Sequence, residues 1–177
     1  MTTRHRIRLQ TSAGKSLKGE VPISTHVENS AKAVIVEEGR VLLIRYEDST
    51  SMDLGTWYSL PGGRQCFGET MGEALVRECK EELGADVSAG PLLFVREYIH
   101  ARHSLKGTGR DQHKIEFMFS CILNSRPAMT LAADKDQSTF EWVDLAALSE
   151  ITIFPTGLGD LKGLLEKPNS VYWGDTF

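Results

Sequence analysis

The chain has 177 residues, of which 41% are apolar and 25% charged. That length fills one compact domain with a real core and is too short for two ordinary ones, while the composition excludes a disordered or fibrous chain. A formal net charge of −4 supplies no long-range positive field for nucleic acid, so the predicted partner is a small molecule rather than DNA or RNA.

Three cysteines, Cys66, Cys79 and Cys121, are odd in number and lack metal-type spacing. A disulfide framework and a zinc site are therefore not expected, and a reducing cytoplasm fits best. The basic start is not followed by an apolar run, and no stretch is long enough to span a bilayer, so no membrane association is predicted.

In chain order, residues 1–26 form a polar N-terminal extension and residues 27–177 the domain. Within the extension, Thr11 to Ser16 imitates the end of a phosphate-binding loop, but the position that must be glycine is Leu9. Ala33 to Val36 and Val41 to Arg45 flank Glu37-Glu38-Gly39-Arg40 and predict a β-hairpin. After a polar loop, Trp57 to Leu60 forms a short strand stopped by Pro61-Gly62-Gly63. Thr70 and Glu73 make a capping box for a helix that Gly84 ends. Pro91 to His100 and Lys114 to Leu123 predict two strands, Phe140 to Val143 another. Short helical stretches follow near Leu145 to Leu148 and Leu158 to Lys167. Strands mixed with few helices, without regular alternation, indicate an α+β domain around a mixed sheet.

The chemistry concentrates in residues 63–85. At about 100° per residue, Glu78, Glu81 and Glu82 share one sector of the helix. Leu75, Val76, Cys79 and Leu83 form the stripe expected to face the core. Three crowded carboxylates repel one another, and a hard divalent cation relieves that repulsion. Carboxylate oxygens suit Mg²⁺, which commonly shares its coordination with substrate phosphates. Such a cation acidifies water and screens charge on a phosphoryl group under attack. A solvated helix face is the bland alternative for Glu81-Glu82 alone.

The full spacing resembles the Nudix box: Gly, five residues, Glu, seven residues, Arg-Glu, an aliphatic residue, any residue, Glu-Glu, any residue, Gly, an aliphatic residue. Gly63, Glu69, Arg77, Glu78, Glu81, Glu82 and Gly84 match. Seven fixed positions arise by chance on the order of once in 10⁸ windows at ~7% per residue type. Cys79 and Ala85 depart from the aliphatic positions, but both are small and apolar. The resemblance implies the Nudix fold, an α/β/α sandwich around a mixed β-sheet. It also implies Mg²⁺-dependent hydrolysis, with Mn²⁺ as a substitute, of a phosphoanhydride in a nucleoside diphosphate linked to another moiety, by cation-activated water attacking phosphorus.

Carried onto this chain, Glu78, Glu81 and Glu82 become metal ligands, with the Gly62 carbonyl as a further one. Glu69 pairs with Arg77 to brace loop against helix, and Gly63 supplies a backbone conformation that other residues resist. The catalytic base is a box glutamate, Glu81 or Glu82, or a carboxylate on a later loop, Asp136 or Asp134, with Glu116 on a strand as a further candidate. Many similar proteins are homodimers.

Arg96 to Lys114 reads as a long, locally basic loop holding three of the five histidines. It offers Arg96 and Arg102 to substrate phosphates. Among the aromatics on the predicted strands, Trp57, Tyr58, Phe94, Tyr98 and Phe117, Tyr58 is a candidate to stack on a base. Tyr172-Trp173-Gly174 is either a lid or a docked tail. Two other functions are weighed. One is a Nudix-like domain that senses a nucleotide without cleaving it, against which three crowded carboxylates count. The other is an RNA-end hydrolase using the basic loop, against which the acidic balance counts.

Overall fold

The computed structural model describes residues 26–47, 55–103, 112–128, 137–167 and 170–177. The N-terminal extension expected over residues 1–26 falls outside them, apart from His26. Strands β1 (Val27–Glu37) and β2 (Arg40–Glu47) form the predicted hairpin, closed by Glu38-Gly39 with positive φ at both residues, as a tight two-residue turn requires. Strand β3 (Thr56–Ser59) pairs antiparallel with β2, and helix α1 (Met71–Leu83) follows. Then come β4 (Val87–Ile99), β5 (His113–Leu123) and β6 (Gln137–Asp144).

The stretch after β6 differs from expectation. Leu145–Glu150 and Thr156–Asp160 are 3₁₀ turns, and only Leu161–Glu166 is a true helix, α2. Two short strands escape a periodicity reading: β7 (Ile153–Phe154) and β8 (Tyr172–Asp175). Two to four residues are too few to display a period of 2, so only their pairing defines them.

The sheet is mixed. β1 lies parallel to β5, β3 to β7 and β4 to β8, while the remaining pairs are antiparallel. Both faces of β1 and β2 are buried, which is why they read as continuous apolar runs. Ala31, Ala33, Ile35, Leu42 and Ile44 face α1, packing on Ala74, Leu75, Cys79 and Leu83. Val34, Val41 and Leu43 face the other way, with Leu60, Phe94, Met118, Leu148, Leu158 and Leu161. Helical elements on both faces of a mixed sheet make the expected sandwich.

Helix α1 carries both predicted caps. Thr70 and Glu73 exchange capping-box hydrogen bonds, and Gly84 ends the helix in the left-handed conformation, its N–H donating to the Lys80 carbonyl. The core stripe is rotated from the one predicted. Val76 is exposed, and Ala74 is buried in its place. At about 100° per residue, the buried arc then runs from Ala74 past Glu78 and Glu82 to Leu83. Glu78 and Glu82 thus lie inside the sector that meets the sheet, not beside it.

Candidate active site

What brings the glutamates of α1 to a usable place is the path of residues 61–65. This segment runs along the free side of β1: Ala33 N–H donates to the Pro61 carbonyl at 2.8 Å, Ala31 N–H to the Gly63 carbonyl at 2.9 Å, and Gln65 N–H to the Asn29 carbonyl at 2.9 Å. Alternation of an extended backbone turns the carbonyls of Leu60 and Gly62 the other way. Both accept from the Lys32 ammonium, Leu60 at 3.4 Å and Gly62 in the closer contact. Gly62 has φ +117°, and a Cβ there would stand 2.2 Å from the Ala31 carbonyl oxygen, so the close approach to β1 admits only glycine.

Gly63 differs from the sequence-based expectation. Its backbone lies outside the left-handed region, and the demand on it is space. A Cβ at Gly63 would lie 2.5 Å from the Glu78 carboxyl carbon and Oε2. The loop is therefore seated directly on the Glu78 carboxylate. The third member of the pattern, Glu82, accepts from the Gly62 N–H at 2.7 Å.

Arg77 organises the rest. Its Nε and Nη2 donate to the two oxygens of Glu69 at 2.7 and 3.1 Å, the forked geometry that a guanidinium and a carboxylate favour. Nη2 also donates to the Arg64 carbonyl at 2.9 Å, while Nη1 donates to Glu78 at 2.8 Å and Glu81 at 3.3 Å. Glu69 further accepts from the Cys66 N–H at 2.8 Å. The Arg77 hydrogen bonds, helped by that backbone N–H, hold the Glu69 carboxyl down at about 2. One arginine thus ties the loop to the helix and bridges two of the three crowded carboxylates. Among the described residues, no three His, Cys, Asp or Glu side chains converge in a cation cage as they stand, because Glu78 and Glu81 turn to Arg77 and Glu82 to the Gly62 N–H.

A second polar cluster crosses the sheet on the face opposite α1. Register aligns Ser30, Glu116 and Arg96 in one row over β1, β5 and β4, and all three are buried. Arg96 Nε donates to Glu116 at 2.6 Å and Nη1 to the Thr176 carbonyl at 2.7 Å. Lys32 stands one row along, Lys114 one row to the other side. Burial would push the Glu116 carboxyl up, but the positive charges of Arg96, Lys32 and Lys114 outweigh it and hold the group ionised. Desolvation lowers the affinity of Lys114 for its proton. Burial also pushes up the Cys79 thiol of α1, whose proton feels the charges of Glu82, Lys32 and Glu78, so Lys32 lies within electrostatic reach of both clusters.

The remaining expected residues are dispersed. Arg96 lies where the predicted strand Pro91 to His100 overlaps the predicted basic loop, and the structure gives it to the strand: β4 runs to Ile99, cross-strand pairing with β5 persists to His113, and Arg96 stays inside the sheet. Arg102 sits in the 3₁₀ turn after β4 and pairs with Asp175 at 3.5 Å. Tyr58 donates from its hydroxyl to Glu141 at 3.1 Å. Tyr172 to Asp175 is a docked tail: it pairs with β4, and Trp173 packs on Phe94 with ring centroids 4.7 Å apart. Asp134 and Asp136, and residues 104–111 of the basic loop, lie outside the described residues. Sequence reasoning missed Lys32. It sits one residue from apolar neighbours on a buried strand, and that interruption was its only signal.

The geometry is that of a loop-helix-loop carrying an arginine-braced carboxylate set, on a sandwich with a mixed sheet. Comparison with known proteins agrees. The family model for the NUDIX domain matches residues 28–160. The chain is 28% identical over 137 residues to the nucleoside triphosphatase NudI of Salmonella agona, spanning 75% of this chain and 94% of that one. Similarity to the corresponding protein of an Enterobacter strain is also 28%, over 122 residues, 68% of this chain and 84% of that one. Among solved structures, a MutT Nudix hydrolase from Burkholderia pseudomallei superposes with a TM-score of 0.59 at 23% identity, covering 77% of this chain and 97% of that one. A Nudix hydrolase from Nitrosomonas europaea gives 0.63 at 17%, covering 80% and 90%. The chain belongs to the Nudix family. It is accordingly a hydrolase of acid anhydrides in phosphorus-containing compounds. No helix among the described residues is long and apolar enough to cross a membrane.

Proposed function

We propose that this enzyme hydrolyses the phosphoanhydride of a nucleoside diphosphate linked to another group, using Mg²⁺ (or Mn²⁺) bound by Glu78, Glu81, Glu82 and the Gly62 carbonyl. The observation that carries this reading is the Gly62-Gly63 turn. It presses on Glu78, donates to Glu82 and turns the Gly62 carbonyl away from β1. The donor set is all oxygen, three carboxylates and a carbonyl, as a hard divalent cation prefers. The cation would lower the pKa of water and offset charge on the phosphoryl oxygens.

The chain's own residues do the rest. Arg77 keeps Glu78 and Glu81 together and fixes the loop through Glu69. Glu81, Glu82 or Asp136 takes the proton from the attacking water. Arg96, Arg102 and Tyr58 are the further candidates for substrate contact, and each would have to leave a present partner to make it: Glu116 and the Thr176 carbonyl, Asp175, and Glu141. Nucleoside triphosphates are the first compounds to test, because the curated relatives are named for them. The enzyme is proposed to be cytoplasmic, consistent with three free cysteines, and a homodimer, which the mass measured by static light scattering checks. The decisive assay is a panel of nucleoside triphosphates, dinucleotides and nucleotide sugars with Mg²⁺ and with chelator. Turnover of at least one member that chelator abolishes is expected, and no metal-dependent turnover of any member at micromolar enzyme refutes the proposal.

A further inference from the structure

Lys32 stands where two charge clusters meet. On one side it donates to the Gly62 carbonyl, the only backbone member of the proposed cation-binding set. On the other lies the row Ser30, Glu116, Arg96, with Lys114 beyond it. The cations of this face outnumber its carboxylates: Arg96, Lys32 and Lys114 stand around Glu116, with Glu28 opposite Lys114, and among the described residues only Arg96 hydrogen-bonds Glu116. A half-buried surplus of positive charge is stabilised by an anion. An ammonium on one lone pair of that carbonyl leaves the second open, but its positive charge opposes a divalent cation placed there.

We infer that Lys32 couples the two halves of the substrate complex. Its ammonium caps the Gly62 carbonyl in the free enzyme and moves to a substrate phosphate when a divalent cation takes that carbonyl. Cation and diphosphate then bind cooperatively, each strengthening the other, as thermodynamic linkage demands of a shared displaceable group. The ammonium charge acts in the same direction. Alone it opposes a second cation nearby, whereas with a diphosphate present it is neutralised. A lysine suits this work better than an arginine, since its ammonium is a compact charge on a flexible stem and a switch between two acceptors needs no fixed fork. This inference rests on the cation site proposed above.

The test is Mn²⁺ binding, followed by the paramagnetic resonance signal of free Mn²⁺, with and without methylenediphosphonate, a diphosphate that cannot be hydrolysed. Wild type, Lys32→Met, Lys32→Gln and Glu82→Gln are compared, with thermal unfolding to establish that each is folded. Lys32→Met keeps the length of the side chain beside Met118 and Phe94, and Lys32→Gln serves if it does not fold. Without diphosphonate, the Lys32 variants should bind Mn²⁺ about 5-fold tighter or more than wild type. Diphosphonate should tighten Mn²⁺ binding of wild type by at least a similar factor, and much less in the variants. Variants that bind Mn²⁺ no tighter than wild type, or that keep the full diphosphonate enhancement, overturn the role of Lys32 while leaving the cation site standing. Mn²⁺ binding that is absent from wild type, or unaffected by Glu82→Gln, overturns the cation site and the inference with it.

Discussion

Replacing Gly63 with alanine separates the chemistry of the site from its folding. The new methyl carbon would stand 2.5 Å from the Glu78 Cδ and Oε2 and 2.7 Å from Oε1. Contact between non-bonded carbon atoms settles at about 3.5–4.0 Å, so the carboxylate must retreat by about 1 Å. That retreat pulls Glu78 from the Arg77 Nη1 it holds at 2.8 Å and misplaces an oxygen donor of the proposed cation site. A displacement of that size costs about 10²-fold in rate where geometry is critical. The folding cost is small. Gly63 has no left-handed backbone to lose, an off-rotamer carboxylate costs about 1 kcal/mol, and the lower entropy of the unfolded alanine chain offsets about 0.4–1 kcal/mol of that. The expected result is turnover reduced about 10²-fold with a midpoint of thermal unfolding within about 4 °C of wild type. Gly62→Ala is the contrast. There the Cβ meets the Ala31 backbone oxygen at 2.2 Å with φ at +117°, so stability itself should fall. Steady-state kinetics of the best substrate and calorimetry decide. Full activity in folded Gly63→Ala would mean that the seat of the loop on Glu78 has no part in catalysis.

Glu82→Gln keeps the hydrogen bond that Gly62 N–H donates and removes the charge. It should leave the unfolding midpoint nearly unchanged and abolish most turnover, and a fully active variant would remove Glu82 from the site. Glu69 is held at about 2 against an ordinary 4.5. Its folded pKa is depressed, so its contribution to stability is complete above 4.5 and disappears as pH falls toward 2. The stability difference between wild type and Glu69→Gln, followed by unfolding midpoints against pH, should accordingly be present at pH 7 and vanish across that window; a constant difference would refute the ion pair as its cause. Arg96→Met leaves Glu116 buried without its hydrogen-bonded partner and should cost about 3–5 kcal/mol in urea unfolding. Adding Glu116→Leu to it should recover part of that loss, and additive costs would deny the coupling.

Much of this was legible because the sequence signals were local. The capping box at Thr70 and Glu73 and the left-handed Gly84 are statements about three or four adjacent residues, and both appear as predicted. So does the brace between Glu69 and Arg77, whose spacing the family pattern carries. What failed to show was non-local. The face of α1 was misplaced because Val76 and Ala74 are both apolar, and only the position of the sheet decides which is covered. Arg96 falls in both the predicted strand Pro91 to His100 and the predicted basic loop, because charged and glycine-containing positions follow it. Its burial depends on Glu116, 20 residues away on the next strand. Strands of two and four residues, β7 and β8, are formed by their partners and have no pattern of their own.

The placement of positive charge explains how so acidic a helix face is tolerated in a folded chain. Glu78 is largely covered, at 16% side-chain exposure, and three carboxylates in that sector need compensation. Arg77 supplies it to two of them, the Gly62 N–H to the third, and Lys32 caps the carbonyl beside them. Each of these partners can be exchanged without moving the backbone, since an arginine fork, an amide and an ammonium all act through side-chain or hydrogen-bond rearrangement. The loop position, by contrast, is fixed by backbone bonds to β1 and by Gly62, whose place against the Ala31 backbone admits no side chain. A rigid frame with replaceable internal cations suits the cation site proposed above: that cation would take the place of charges the protein itself provides.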